Sequence, residues 1–166
     1  GDWKYCRVDV RAKLPIGQGI WPAIWMLPTD EKYGGWASSG EIDIMELVGH
    51  KPSTYHGTLH YGGGWPQNKH TGKEYKLPKG TFADDFHIFS IFWEEGKIIW
   101  GIDGKAWQTQ EKWHSDKSSF PAPFDQRFHL LINLAVGGRW PGNPDDKTKF
   151  PAKMLVDYVR VYQTEK

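Results

Sequence analysis

Polar and apolar residues alternate along most of this chain, which is the pattern of half-buried β-strands. Strands are predicted at residues 7–14, 20–26, 41–48, 54–61, 86–93, 97–102, 105–108, 128–136 and 154–162. Apolar residues nowhere keep a helical period, and 19 glycines and 11 prolines interrupt the chain at strand-length intervals. The pattern predicts an all-β domain over residues 1–166, built as a sandwich of antiparallel sheets.

Three long polar segments separate these strands, at residues 29–39, 62–73 and 137–149. We predict that all three are loops. Loops of this length in a compact domain usually carry function.

Charge and hydropathy exclude some classes of partner. The chain has 21 basic and 20 acidic residues, a formal net charge of +1, which gives no reason to expect a nucleic acid or an anionic membrane as partner. Its apolar runs are too short to span a bilayer. The sequence given opens with no charged segment followed by an apolar run, so it contains no recognisable signal peptide.

Tryptophan is the unusual component, with 10 residues in 166. Flat indole rings match the C–H faces of sugars, and the ring N–H can still donate a hydrogen bond. Trp36, Trp65 and Trp140 lie in Gly/Pro-rich loops rather than in predicted strands. We therefore expect several tryptophans to line a surface and the others to fill the core.

The segment Glu41-Ile42-Asp43-Ile44-Met45-Glu46 places three acids in an apolar, β-branched strand. On a regular strand Glu41 and Asp43 share one face and Glu46 points to the other. One extra residue, accommodated as a β-bulge near Ile44 and Met45, returns Glu46 to the face of Glu41. The alternatives are a helix, on which the glutamates diverge by about 140°, and a solvated edge strand, on which three like charges repel.

Two carboxyl groups about 5–5.5 Å apart are the equipment for retaining hydrolysis of a glycosidic bond. We predict that Glu41 attacks the anomeric carbon, and that Glu46 protonates the leaving oxygen and later activates water. Asp43, between them, shares a proton with Glu41 and orients it. The nearby like charges raise the pKa of Glu46, which keeps it protonated for the first step.

The same residues resemble a known family. EIDIME (41–46) looks like the E-x-D-x-x-E signature of glycoside hydrolase family 16, in its bulged, laminarinase-like form. Four more segments are similar to the family in the same order: GIWPAIWML (19–27), HGTLHYG (56–62), FHLLINLAVGG (128–138) and VDYVRVY (156–162).

The resemblance implies a concanavalin A-like β-jelly-roll sandwich with a cleft across its concave sheet. It implies endo-hydrolysis of β-1,3-glucan, a polysaccharide substrate, with retention and without a catalytic cofactor. Beside the catalytic trio of Glu41, Asp43 and Glu46, it implies substrate-binding roles for Trp21, Trp25, His60, Trp65, Asn133 and Trp140. Trp93 and Trp100 are expected in the core instead.

Further expectations rest on the resemblance alone. Many members carry a structural calcium ion on the convex face, and Asp157 matches one of its ligands. Members are typically secreted, which predicts an extracellular protein. Family domains usually have several strands before the equivalent of Trp3, so the domain is expected to be N-terminally incomplete. Those strands lie on a second chain, or the sequence is a fragment of a longer form, or the fold has been trimmed naturally.

Two other functions stay open at this point. One is a non-catalytic β-glucan-binding domain of the same fold; such domains usually lose one or both glutamates, whereas Glu41 and Glu46 are both present here. The other is a different family activity, on lichenan or agarose. The bulged motif weighs against lichenase, and few loop arginines weigh against sulfated galactans.

Overall fold

The computed structural model describes residues 1–163, and within them the chain forms eleven β-strands and no helix. The strands are β1 (Asp2–Trp3), β2 (Cys6–Lys13), β3 (Ile20–Pro28), β4 (Glu41–Glu46), β5 (Thr54–Tyr61), β6 (Lys69–Lys76), β7 (His87–Glu94), β8 (Lys97–Ile102), β9 (Lys105–Gln110), β10 (Phe128–Val136) and β11 (Leu155–Tyr162). A bilayer-crossing helix is therefore also absent from this part of the chain.

The strands form two antiparallel sheets. One has six strands in the order β1-β10-β3-β4-β5-β6, and the other has five in the order β11-β2-β7-β8-β9. The predicted all-β sandwich is thus confirmed. The acidic strand β4 lies in the middle of the six-stranded sheet, between β3 and β5.

The core fills the space between the two sheets with large aromatic side chains. Trp93, Trp100, Tyr55, Phe89 and Phe128 are all at most 1% exposed. Burying a side chain of this kind contributes about 1.5–3 kcal/mol each, so the aromatic core is a main source of stability. The expectation that Trp93 and Trp100 are core residues is confirmed.

The predicted loop at residues 62–73 is wrong in its second half, because β6 begins at Lys69. This strand (KHTGKEYK) has no apolar face and is exposed along nearly all its length. It pairs with β5 through eight consecutive residue pairs, from Thr54↔Lys76 to Tyr61↔Lys69. Backbone pairing at a sheet edge needs no hydrophobic alternation, and lysines are common on edges because they discourage association.

Two strands on one side of the sandwich have free edges. β10 pairs with β3 along its full length but meets β1 only at Phe128 and His129. β11 is the outer strand of the other sheet. Apolar side chains on these two strands are more than a third exposed: Ile132, Val136, Leu155, Val156 and Val159.

Candidate active site

The bulge predicted in β4 is present, and it turns all three acids to one face. Against β5, Glu41 pairs with His60, Asp43 with Thr58 and Glu46 with His56. His60, Thr58 and His56 are spaced two residues apart and therefore share one face of β5. The three acids that pair with them consequently share that face of the sheet. Against β3, the pairs Ala23↔Glu46 and Trp25↔Asp43 indicate one extra residue in β4. Ile44 and Met45 are both buried beneath the cleft.

A tryptophan of the other sheet stabilises the bulge from below. The buried Trp100 of β8 donates its Nε1–H to the backbone carbonyl of Asp43 at 2.8 Å. Gly57 of β5 makes room for this ring, since a Cβ there would lie 2.5 Å from Trp100 Cδ1. A buried carbonyl left without a partner costs about 1–3 kcal/mol, so this contact offsets the break in strand pairing.

Glu46 lies in an environment that keeps its proton. Burial, followed by the charge of Glu41, raises the pKa of Glu46 to about 7. The indole Nε1–H of Trp21 donates to Glu46 Oε1 at 3.1 Å and acts in the opposite direction, because it favours the ionised form. A carboxyl with a pKa near neutrality can serve as a general acid and then as a general base.

Glu41 has different hydrogen-bond partners. Burial raises its pKa above the ordinary value, while hydrogen bonds from Trp36 and Asp43 lower it. The Trp36 bond comes from the indole Nε1–H to Glu41 Oε2. Two donors aimed at one carboxylate stabilise its ionised form, the form a nucleophile needs.

Asp43 is 1% exposed and is the most enclosed of the three acids. Burial, then the charges of Glu46 and Glu41, raise the pKa of Asp43 well above its ordinary value. This direction favours the protonated form of Asp43, the form that can donate a hydrogen bond to Glu41. His60 Nε2 lies 3.2 Å from Asp43 Oδ2. Burial, with the neighbouring His70, lowers the pKa of His60 to about 4, so its ring is neutral at neutral pH. His60 therefore adds no positive charge to the site.

Potential ligand atoms of Glu41, Asp43 and His60 lie within 4.8 Å of one another. By distance alone they could approach a metal ion. The same closeness allows the hydrogen bond from Asp43 to Glu41, which is the contact that the predicted mechanism uses.

A cavity of about 230 Å³ opens above the acids, towards β3 and β10. Glu41, Asp43 and Glu46 line it together with Trp21, Trp25 and Asn133. Trp25 Nε1–H donates to Asn133 Oδ1 at 2.8 Å, which holds the ring and the amide in a defined arrangement. An apolar wall with a few oriented polar groups is the usual construction of a sugar-sized site.

The other predicted binding residues lie at differing distances from this centre. Trp140 packs edge-on against Trp21, with ring centroids 5.4 Å apart, and so borders the cleft. Trp65 is 74% exposed in the loop before β6 and does not line the cavity above the acids. Its predicted contact with substrate stays a prediction.

Two residues of the site were missed as functional residues from the sequence. Trp36 hydrogen-bonds Glu41 although it lies in the preceding loop, and only its loop position hinted at a role. His56 lies directly opposite Glu46. The alternation of Thr54, His56, Thr58 and His60 could have revealed it, because it puts both histidines on one face.

Asp157, the predicted calcium ligand, lies in β11 at a register shift and pairs with Arg11, whose Nη1 is 2.7 Å from Asp157 Oδ2. Calcium takes six to eight oxygen ligands, and among residues 1–163 Asp157 belongs to no group of three or more potential ligand side chains. The calcium ion stays a prediction from the resemblance.

A two-sheet sandwich that carries three carboxyl groups on one face of a central strand, with Trp21 and Trp25 of the next strand beside them, has the construction of a polysaccharide hydrolase. The chain belongs to glycoside hydrolase family 16, because the sequence model described as "Glycosyl hydrolases family 16" matches residues 2–160.

The relatives of this chain are consistent with that membership. It is 51% identical over 168 residues to glucan endo-1,3-beta-glucosidase A1 of Niallia circulans, covering 98% of this chain and 25% of that protein. It is 42% identical to the beta-glucanase of Rhodothermus marinus, covering 97% of this chain and 58% of that one.

Among solved structures, the laminarinase catalytic domain of Thermotoga maritima superposes with a TM-score of 0.85 at 41% identity, covering 100% of this chain and 66% of that one. The likeness therefore extends over the whole sandwich described here. The chain spans a quarter to about two thirds of the length of these proteins.

Proposed function

We propose that this chain is a retaining endo-1,3-β-glucanase that acts on laminarin-type glucan by double displacement. The observation that carries the proposal is the β-bulge, because it brings Glu41, Asp43 and Glu46 to one face of β4. Further support comes from the relative in Niallia circulans, which is named for internal cleavage of 1,3-β-glucan and shares half of its aligned residues with this chain.

In the first step, an oxygen of the Glu41 carboxylate attacks the anomeric carbon, and Glu46 gives its proton to the glycosidic oxygen as that bond breaks. In the second step, Glu46, now a carboxylate, removes a proton from water, and the water oxygen displaces Glu41 from the sugar. Asp43 keeps its proton throughout and donates it to Glu41, which holds the nucleophile in position. The chemistry needs no metal or organic cofactor.

The first prediction tests the nucleophile. Glu41→Gln removes the attacking carboxylate but keeps the shape of the side chain, so kcat on laminarin should fall by at least about 1000-fold while laminarin still binds. Released reducing ends measure kcat, and isothermal titration measures binding. Glu94→Gln, in the β7–β8 hairpin, is the matched control and should retain full activity.

A Glu41→Gln variant that keeps more than about a thousandth of the wild-type kcat would contradict the assignment. Wild-type protein that binds laminarin without releasing reducing ends would favour the alternative, a non-catalytic glucan-binding domain.

The substrate is the second point to test. We expect faster release of reducing ends from laminarin than from lichenan or agarose, with oligosaccharides of several lengths appearing early, as internal cleavage requires. Products of a single short length would indicate cleavage from a chain end. Preferred hydrolysis of lichenan or agarose would replace the β-1,3-glucan proposal with another activity of the family.

We further propose that additional β-strands, from a second chain or from a longer form of the protein, pair with the free edges of β10 and β11. Support comes from the exposed apolar side chains along these edges, which unpaired strands rarely leave open to solvent. Residues 1–166 alone should self-associate, as measured by light scattering, or bind a hydrophobic dye, as measured by the fluorescence of the dye. A monomer that binds no dye would contradict this proposal.

We also propose that the protein acts outside the cell. A glucan polymer is too large and polar to cross a membrane. An enzyme that cleaves bonds within such a polymer therefore meets its substrate outside the cell. Laminarin-degrading activity in cultures of the source organism should be found in the medium, and activity confined to washed and lysed cells would contradict the proposal.

A further inference from the structure

Trp36 reaches the nucleophile from a loop that has little apolar packing of its own. Among residues 29–36 only Tyr33 is buried, and Trp36 itself is 42% exposed. The indole N–H must nevertheless stay in line with Glu41 Oε2, because hydrogen bonds weaken steeply when donor and acceptor are misaligned. The loop therefore needs polar contacts from elsewhere in the fold to hold this donor in place.

Gln126, two residues before β10, binds both ends of the loop segment that carries Trp36. Its side chain is enclosed, since the residue is 5% exposed. Gln126 Oε1 accepts a hydrogen bond from the backbone N–H of Lys32 at 3.0 Å, and Nε2–H donates to the backbone carbonyl of Ser39 at 3.1 Å. One buried amide thus fixes the two ends of residues 33–38 relative to each other.

The same region joins the loop to the rest of the fold. Gln126 Nε2–H also donates to the backbone carbonyl of Pro123 at 3.1 Å. Beside it, the hydroxyl of Tyr33 donates to the carboxylate of Asp125, with both carboxylate oxygens at 2.8 Å. Tyr33 precedes Trp36 by three residues, so this second contact anchors the loop just before the indole.

On this basis, which rests on the proposed function, we propose that Gln126 and Asp125 are positioning residues for the nucleophile. They hold the loop so that the indole N–H of Trp36 stays on Glu41. Neither of them lines the cavity above the acids. A change at either residue therefore acts on the reaction through the loop and its tryptophan.

The protonation of Glu41 reports the position of the indole. The hydrogen bond from Trp36 lowers the pKa of Glu41 against the effect of burial. Loss of this donor raises the pKa, and because the nucleophile must be ionised to attack, the acidic limb of kcat/KM moves to higher pH. Asp43, Glu46 and His60 also face the nucleophile. They are the same in every variant below, so a difference between variants reports the donor.

The test is the pH profile of kcat/KM on laminarin. Gln126→Met keeps the size of the side chain but removes its hydrogen bonds, and it should move the acidic limb upward by about half a pH unit or more, close to the effect of Trp36→Phe. Tyr33→Phe, which removes only the bond to Asp125, should move the limb in the same direction and less far. The double variant Trp36→Phe/Gln126→Met should show the shift of Trp36→Phe and no more, because both changes act through one contact.

Gln108→Met is the matched control. Gln108 is 3% exposed, and its amide also donates to a backbone carbonyl, but that carbonyl belongs to Gly57 of β5 rather than to the loop. Its loss should lower stability and leave the acidic limb where it is in the wild type. A merely structural role for Gln126 would give the same result, so the comparison separates positioning from stability.

An acidic limb that stays unmoved in folded Gln126→Met or in Trp36→Phe, or that moves further in the double variant than in Trp36→Phe alone, would overturn the positioning role. Circular dichroism identifies a variant that does not fold. If Gln126→Met is such a variant, Tyr33→Phe decides the question, and an unmoved limb there overturns the role. Wild-type protein that releases no reducing ends from laminarin would overturn the proposed function, and the positioning role with it.

Discussion

Glu41 and Glu46 are the same residue type on one strand, and their surroundings give them different protonation behaviour. Glu46 has one hydrogen-bond donor, Trp21, against strong burial and the charge of Glu41. Glu41 has two, Trp36 and Asp43, against burial alone. The acid that meets the leaving oxygen is thus the one that holds its proton to higher pH, as the mechanism requires.

The second prediction concerns the pH dependence of the reaction. Because Glu46 must be protonated in the first step and its pKa is about 7, kcat/KM should fall as pH rises through about 7. Trp21→Phe removes a donor that favours ionised Glu46, so the basic limb of kcat/KM should move to higher pH. The measurement is a pH profile of initial rates on laminarin.

Trp36→Phe is the matched comparison, since it removes a donor to Glu41 instead. Its loss raises the pKa of Glu41, so the acidic limb should move to higher pH. The three acids titrate as a coupled set, and the limbs report the set rather than single residues. If Trp21→Phe moves the basic limb downward or not at all, the indole does not tune the acid.

At the level of elements, most strands could be predicted from alternation, and the bulge from the odd spacing of the acids. The hairpin between β7 and β8 follows from Glu95-Gly96 between two apolar runs. β6 could not be predicted in this way, because its residues are polar on both faces and only pairing with β5 makes it a strand. Trp100 was predicted as core, but its bond to Asp43 depends on how the sheets stack.

The third prediction tests the bulge. Deletion of Met45 removes the extra residue against both neighbours, so Glu46 can stay opposite Ala23 and His56 with its carboxyl in the cleft. Insertion of alanine between Ile44 and Met45 instead restores plain alternation, which keeps Glu46 on the cleft face but moves it roughly 7 Å further along the strand from Glu41.

We expect the insertion to lower kcat on laminarin by at least about 1000-fold, and the deletion to cost less activity but several kcal/mol of stability through the cavity left by Met45. Urea unfolding and reducing-end assays measure the two effects. An insertion variant with near-normal kcat would show that the bulge does not set the working distance between Glu41 and Glu46.

At the level of the whole molecule, the two sheets have different tasks. The five-stranded sheet contributes buried groups that hold the six-stranded sheet in place, such as Trp100 on the Asp43 carbonyl and Gln108 Nε2–H on the Gly57 carbonyl at 3.0 Å. The six-stranded sheet carries buried acids whose ionisation the fold opposes. Function therefore costs stability, and the cost depends on pH.

The fourth prediction measures that cost. The pKa of Glu46 rises from 4.5 to about 7 on folding, so between these values the folded state binds more protons than the unfolded state, and stability falls as pH rises. Below about 4.5 both states are protonated and the penalty is absent. Above about 7 it reaches its full size, on the order of 3 kcal/mol.

Glu46→Gln has no proton to lose, so its melting temperature should exceed that of the wild type by several degrees at pH 8 and should match it at pH 4. Glu94→Gln, which removes an exposed acid paired with Lys97, should show no such divergence. Thermal unfolding of the three proteins across this pH range makes the comparison. If the melting temperature of Glu46→Gln exceeds that of the wild type by as much at pH 4 as at pH 8, packing rather than ionisation accounts for the difference. Glu46 would then not be the acid that holds a proton at neutral pH.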